Sequence, residues 1–172
     1  SPSRGLGDVY KRQIQGGLAM AGARYHASGE ENLSSSAQTA LSITAASSGP
    51  ARAWIYEAYF GNQGTPADLA GTYTVERITA ITSGGAAVTA GKLDEEDVAA
   101  RSVTRENDGT TGTFTSNEVM VEIPMNHRGT YRWVAPPGGE WVLPSAANDG
   151  FAGRSLHASA TTLFRVGMYW VE

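Results

Sequence analysis

At 172 residues the chain has the length of one ordinary domain, enough to bury roughly 70% of the surface that its unfolded form exposes. Seventeen acidic residues against thirteen basic ones give a formal charge of −4, which leaves no basic footprint for nucleic acid. There is no cysteine, hence no disulfide and no thiolate metal site, and no apolar run approaches the length of a membrane-spanning helix.

The first stretch, SRGLGDVYKRQ over residues 3–13, holds three of the basic residues, Arg4, Lys11 and Arg12. It shows neither strand alternation nor a helical stripe. Back-translated, it resembles an adapter of transposase-made sequencing libraries, which implies that residues 1–13 are foreign to the fold. The competing reading is a basic arm for nucleic acid. Gln15-Gly16-Gly17 is compatible with a ribosome-binding GGAGG, and Leu18-Ala19 with the spacer before an initiating Met20. The expected division is a non-native leader over 1–19 and a single β-sandwich domain over 20–172. Without Arg4, Lys11, Arg12 and Asp8 the formal charge of that domain is −6.

Short apolar stretches follow, punctuated by turn residues, and no helix of ordinary length stands out. Ala23–Ser28 is a weak first strand. Gln38–Ala45 alternates Thr39, Leu41 and Ile43 with small polar residues, and SSGP ends it. Ala51–Phe60, ARAWIYEAYF, is the strongest strand of the first half. Plain alternation puts Trp54, Tyr56 and Phe60 on one face and Ile55 and Tyr59 on the other. Residues 62–71 form a loop. Thr72–Thr82 sets Tyr73, Val75 and Ile81 on one side, and residues 83–91 are small and flexible. Residues 93–101, LDEEDVAAR, form either one helical turn capped by Asp94 or a charged loop.

NDGTTG over 107–112 is a turn, and Asn117–Met125 alternates Val119, Val121 and Ile123 against Glu118, Met120 and Glu122. Gly129–Ala135 and Glu140–Leu143 flank Pro136-Pro137-Gly138-Gly139. That pattern predicts a hairpin in which Val134 faces Trp141 and Trp133 faces Val142. Residues 147–153 are another turn. In Ser159–Val171, Phe164, Val166, Met168 and Trp170 make one apolar face, and Leu163, Arg165, Gly167, Tyr169 and Val171 the other. A strand apolar on both sides reads as central, with Phe164 and Trp170 buried on the same face. About eight such strands, with no helices to cover a parallel sheet, predict an all-β fold: an antiparallel, jelly-roll-like β-sandwich.

The densest charge is Asp94-Glu95-Glu96-Asp97. Calcium loops space their acids around a glycine and glycosidase carboxylates come from separate strands, so this run reads as a solvated face. Asn-Asp-Gly at 107–109 and again at 148–150 suits tight turns better than calcium ligation. His26, His127 and His157 share no ligand spacing, no serine sits in a nucleophile elbow, and residues 61–71 lack the phosphate-loop patterns. No catalytic, cofactor-binding or metal-ligating residue is expected. Trp54, Trp133, Trp141 and Trp170 lie in strands beside Tyr56, Tyr59, Tyr131 and Tyr169. These read first as core and subunit interface, and second as a sugar-stacking platform. One core covers one face of each sheet, so the second apolar face of Ala51–Phe60 needs other cover. Ile55 and Tyr59 are therefore the predicted interface with another subunit.

The second half also resembles a family of small β-sandwich proteins encoded by tailed bacteriophages, prophages and viral contigs. Met20-Ala21-Gly22-Ala23-Arg24-Tyr25, Arg77-Ile78-Thr79-Ala80 and Leu93-Asp94 are similar to elements of that family. The most specific stretch holds Arg128, Tyr131, Arg132, Trp133, Pro136, Pro137, Gly138, Gly139 and Glu140, with Pro144 and an Asn-Asp-Gly turn after it. Tyr131 and Trp133 share one face there, and Arg132 and Glu140 take the other or pair near the turn. The resemblance covers nearly all of Met20–Glu172. It implies a non-enzymatic, virion-associated structural protein: a head decoration, minor capsid or tail-associated subunit. Its expected partners are other virion proteins and further copies of itself, with a trimer the form that virion symmetry favours. The alternative is a carbohydrate- or receptor-binding module, and a weaker third is a hydrolase whose site assembles only in the fold. Buried tryptophans favour the first; an exposed coplanar pair in a groove favours the second.

Overall fold

The structure is a computed structural model that describes residues 22–33, 36–80, 84–108, 112–156 and 162–172. The predicted leader, Met20, Ile81 and His157 lie outside the described residues. The strands are β1 (Arg24–Asn32), β2 (Gln38–Ala45), β3 (Ala53–Gln63), β4 (Ala70–Ile78), β5 (Ala86–Val88) and β6 (Gly91–Lys92). They continue with β7 (Ser102–Asp108), β8 (Phe114–Asn126), β9 (Tyr131–Val134), β10 (Trp141–Leu143), β11 (Gly150–Leu156) and β12 (Leu163–Val171). Among the described residues none is helical.

All strand pairings are antiparallel and form two sheets. The first runs β10-β3-β12-β1-β6, with β9 also on β3, and the second runs β5-β7-β2-β11-β4-β8. The short β5 and β6, together with β7, extend the sheets beyond β2 and β1. Setting these aside and counting β9 and β10 as one strand gives the chain order 1-8-3-6 facing 2-7-4-5. The chain is thus an all-β antiparallel sandwich.

The core lies between the sheets. Tyr25, Ile55, Phe60, Phe164, Val166, Met168 and Trp170 of the first sheet meet Leu41, Ile43, Tyr73, Val75 and Phe151 of the second, all of them buried. Fully burying a large apolar side chain is worth about 1.5–3 kcal/mol relative to leaving it in water, so this layer is the main source of stability. The layers touch closely at Gly153, where a Cβ would stand 2.5 Å from Val166 Cγ1.

Two expectations are corrected. The first concerns β3. Trp170 pairs with Ile55 but Tyr169 pairs with Glu57, so Tyr56 is an extra residue in a β-bulge. The bulge shifts the side-chain phase by one. Ala53, Ile55, Ala58 and Phe60 all point inward, while Trp54, Tyr56, Glu57 and Tyr59 are half-buried on the outer side. Ile55 is therefore core, at 0% exposure, and not an interface residue, whereas Tyr59 does face outward.

The second concerns residues 129–143. β9 and β10 do not pair with each other. Both run antiparallel to β3, Tyr131–Val134 along Phe60–Glu57 and Trp141–Leu143 along Ile55–Ala53. They are two pieces of one edge strand, and the intervening residues loop out opposite the bulge. Ala135 N–H donates to the Tyr56 carbonyl at the break, at 2.9 Å. Gly139 N–H donates to the Pro136 carbonyl at 2.8 Å, and Gly138 has φ 77°. This is a type II turn with proline and glycine at its centre, so the turn chemistry was legible while the chain reversal was not. Trp133 and Trp141 both point inward and stack with ring centroids 3.8 Å apart at 11°. Trp141 also reaches Phe151 of the opposite sheet, at 6.2 Å.

Residues 93–100 form a turn and loop without a helix. Asp94 holds the turn by accepting from Glu96 N–H at 3.1 Å. Lys92 Nζ donates to the carbonyls of Glu95 and Asp97, and Arg24 N–H donates to Asp97 Oδ2, which ties the acidic run to β1.

Candidate functional site

The outer face of the first sheet carries the unusual chemistry. Strand alternation and the pairing register place three rows across it, from β1 through β12 and β3 to β9. His26, Tyr169, Glu57 and Val134 make the first row; Ser28, Gly167, Tyr59 and Arg132 make the second. Glu30, Arg165 and Gly61 make the third. Gly167 is required by this layout. A Cβ there would stand 2.1 Å from Tyr59 Cζ, so the Tyr59 ring lies directly on the glycine backbone.

Four rings gather around that point. His26 stacks with Tyr59 at 5.9 Å and 15°, and its Nε2 hydrogen-bonds the Tyr59 hydroxyl at 3.1 Å. The His26 ring also packs on Tyr169 at 4.4 Å, and Tyr56 and Tyr59 flank Tyr169 at 6.2 and 6.4 Å. All four rings remain half-buried. Two ion pairs border them. Arg132 grips Glu57 with two parallel bonds, Nε to Oε1 at 2.6 Å and Nη2 to Oε2 at 2.8 Å. Arg165 donates from Nε to Gln63 Oε1 at 2.6 Å and from Nη2 to Glu30.

Burial sets the electrostatics. It pushes the His26 pKa below its ordinary value, a shift that Glu57 partly offsets. Burial also raises the Tyr56 and Tyr59 pKa values, with Arg24 opposing the rise at Tyr56 and Ser28 and Arg165 opposing it at Tyr59. Burial thus favours the neutral forms of His26, Tyr56 and Tyr59, and guanidinium–carboxylate pairs frame the cluster. Glu57 and Glu30 are both engaged by arginine, which suits a fixed binding surface better than proton transfer.

Of the motif residues singled out in the sequence, Arg132 borders this face, and Tyr131 pairs with the inward-pointing Phe60 at the start of β9. Trp133 turns inward to stack on Trp141, and the four residues Pro136–Gly139 form the type II turn. Arg132 takes Glu57 as its partner in place of the anticipated Glu140. Arg128 is exposed in the turn after β8, where its N–H donates to Asn126 Oδ1 at 2.9 Å. His26 was missed as a site residue because its neighbours lie on other strands: Tyr59 and Tyr169 are distant in sequence and meet it only through register. No protein-family model matches the chain, and no curated protein matches it.

Proposed function

We propose that the chain is a non-enzymatic structural subunit of a phage particle, a head decoration, minor capsid or tail-associated protein that meets its neighbours through the outer face of its first sheet. The observation that carries this reading is the His26, Tyr56, Tyr59 and Tyr169 cluster, which sits half-buried on the side of the sheet away from the core. Contiguous ring surface on an outward face is a mark of interaction sites. The tryptophans add support. Trp170 and Trp141 are buried and Trp133 is spent on Trp141, so they do not offer the coplanar exposed pair of a tryptophan sugar platform. The phage class comes from the resemblance of residues 128–140, and Arg132 of that stretch stands at the edge of the same face.

Other virion proteins and further copies of the chain are the proposed partners, and the virion is the proposed location. Light scattering on the purified protein at micromolar concentration is expected to show a homo-oligomer, a trimer by virion symmetry. Tyr56→Ser with Tyr169→Ser is expected to dissociate it. A strict monomer that also fails to co-sediment with particles of the phage that carries the gene overturns the reading.

A further inference from the structure

Beside the ring cluster, where β3 passes the start of β9, the outer face dips into a pocket of about 460 Å³. Gly61 has no side chain to fill its place in the third row. Tyr59, Thr130, Tyr131, Arg132 and Arg165 surround the gap. The geometry points to a pyranose-binding site: a pocket for one neutral sugar ring of a glycan.

Size and chemistry agree on this ligand class. The volume lies within the roughly 300–1,000 Å³ of small-molecule sites. A pyranose has an apolar C–H face and a rim of hydroxyls that both donate and accept. The pocket offers the matching set. Tyr59, whose hydroxyl is already held by His26, contributes apolar ring surface, and Tyr131, paired with Phe60 on the edge strand, lines the rim. Arg132 and Arg165 supply planar forks of N–H donors. Each fork is already held, Arg132 by Glu57 and Arg165 by Gln63 and Glu30. The N–H groups left over keep a fixed direction, so a ligand need not pay to order those side chains.

Charge narrows the class. Each guanidinium has its own carboxylate, so the pocket lacks the uncompensated positive charge that phosphate or a uronate needs. A neutral sugar, whose hydroxyls bond equally well to N–H and to carboxylate oxygen, is the better fit. The site differs from the tryptophan platform considered from sequence, and it stands whether or not the chain belongs to a particle.

Gly61 gives a clean test. A Cβ there would stand 3.3 Å from Thr130 Cγ2, tight enough to raise the floor of the pocket, and Gly61 needs no left-handed backbone. Saturation-transfer NMR on the full chain would use the methyl glycosides of galactose, glucose, mannose and N-acetylglucosamine, with glucuronate and inorganic phosphate as anionic probes. Transfer to the ring C–H protons of at least one neutral glycoside is expected. Gly61→Ala and Tyr131→Ala should each weaken that binding about tenfold, the loss of one modest contact. Leu156→Ala, on the second sheet, should leave it unchanged. Circular dichroism checks that each variant is folded, and the parent chain alone decides if one is not. Three results overturn the inference: no transfer to any neutral glycoside, transfer undiminished in both pocket variants, or binding of phosphate or glucuronate in preference to the neutral sugars.

Discussion

The two faces of the first sheet use the same strands and similar rings, yet they are packed by different means. On the inner face Tyr25, Phe60, Phe164 and Trp170 are at most 1% exposed. A second layer covers them: Tyr73 meets Phe60 and Phe164 edge-on, at 6.4 and 6.2 Å. On the outer face His26, Tyr56, Tyr59 and Tyr169 cover one another within a single layer and stay half-buried. Rings with a second layer over them hold the fold together. Rings that have only each other leave part of their surface for something else to cover.

Neighbouring residues on β12 break or sharpen that contrast most strongly. Trp170→Ala empties a fully buried site against Tyr25 and should cost about 3–5 kcal/mol in denaturant titrations. Tyr169→Ala, one residue away on the outer face, removes a half-buried ring and its ring–ring contacts and should cost about 1–1.5 kcal/mol. If both cost the same, the outer cluster is a second core and the case for it as a contact surface fails.

Gly167 tests the outer layer from beneath. Gly167→Ala drives a methyl into the Tyr59 ring, which must lift from the sheet. Overpacking of this kind costs about 1–3 kcal/mol. Adding Tyr59→Ala removes the clash, so the double variant should recover part of the loss. If Gly167→Ala is neutral, Tyr59 is free to swing away and the platform is not held in place.

Much of this was legible and some was not, for identifiable reasons. The bounds of β2, Gln38–Ala45, follow directly from its alternation and the SSGP break. The all-β class and the buried face of β12 follow from the same signal. The phase of β3 was misread past Tyr56 because a bulge leaves no mark in apolar periodicity: residues 54, 56 and 60 look like one face until one of them is counted out. The Pro-Gly turn was read as a hairpin because sequence does not show that β3 offers both flanking strands a better edge. β7 was missed since its buried positions, Thr104 and Asp108, are polar. β11 was hidden behind a turn signal and two glycines, of which Gly153 exists to admit Val166. The pocket was illegible because its floor is the absence of a side chain at Gly61.

Acid sensitivity is the smallest effect expected, and it separates the two faces because their rings differ in kind. The inner rings do not titrate near neutral pH, while the outer cluster contains His26. Burial holds the His26 pKa below its ordinary value of 6.5, and Glu57 only partly restores it. His127, buried at the end of β8, is lowered for the same reason. A base with a depressed folded pKa takes up its proton more readily in the unfolded chain. Its contribution to stability is therefore complete above about pH 6.5, is lost as pH falls below that value, and levels off under the folded pKa. Urea midpoints should accordingly drop between about pH 7.5 and pH 5. His26→Gln removes the titration from the outer face and leaves that of His127. The difference between the two profiles reports the ring together with its coupling to Glu57. The variant should lose less stability on acidification than the parent. If the two profiles coincide, Tyr59 and Tyr169 do not shield His26 from water, and the outer face is an open surface with no organised cluster on it.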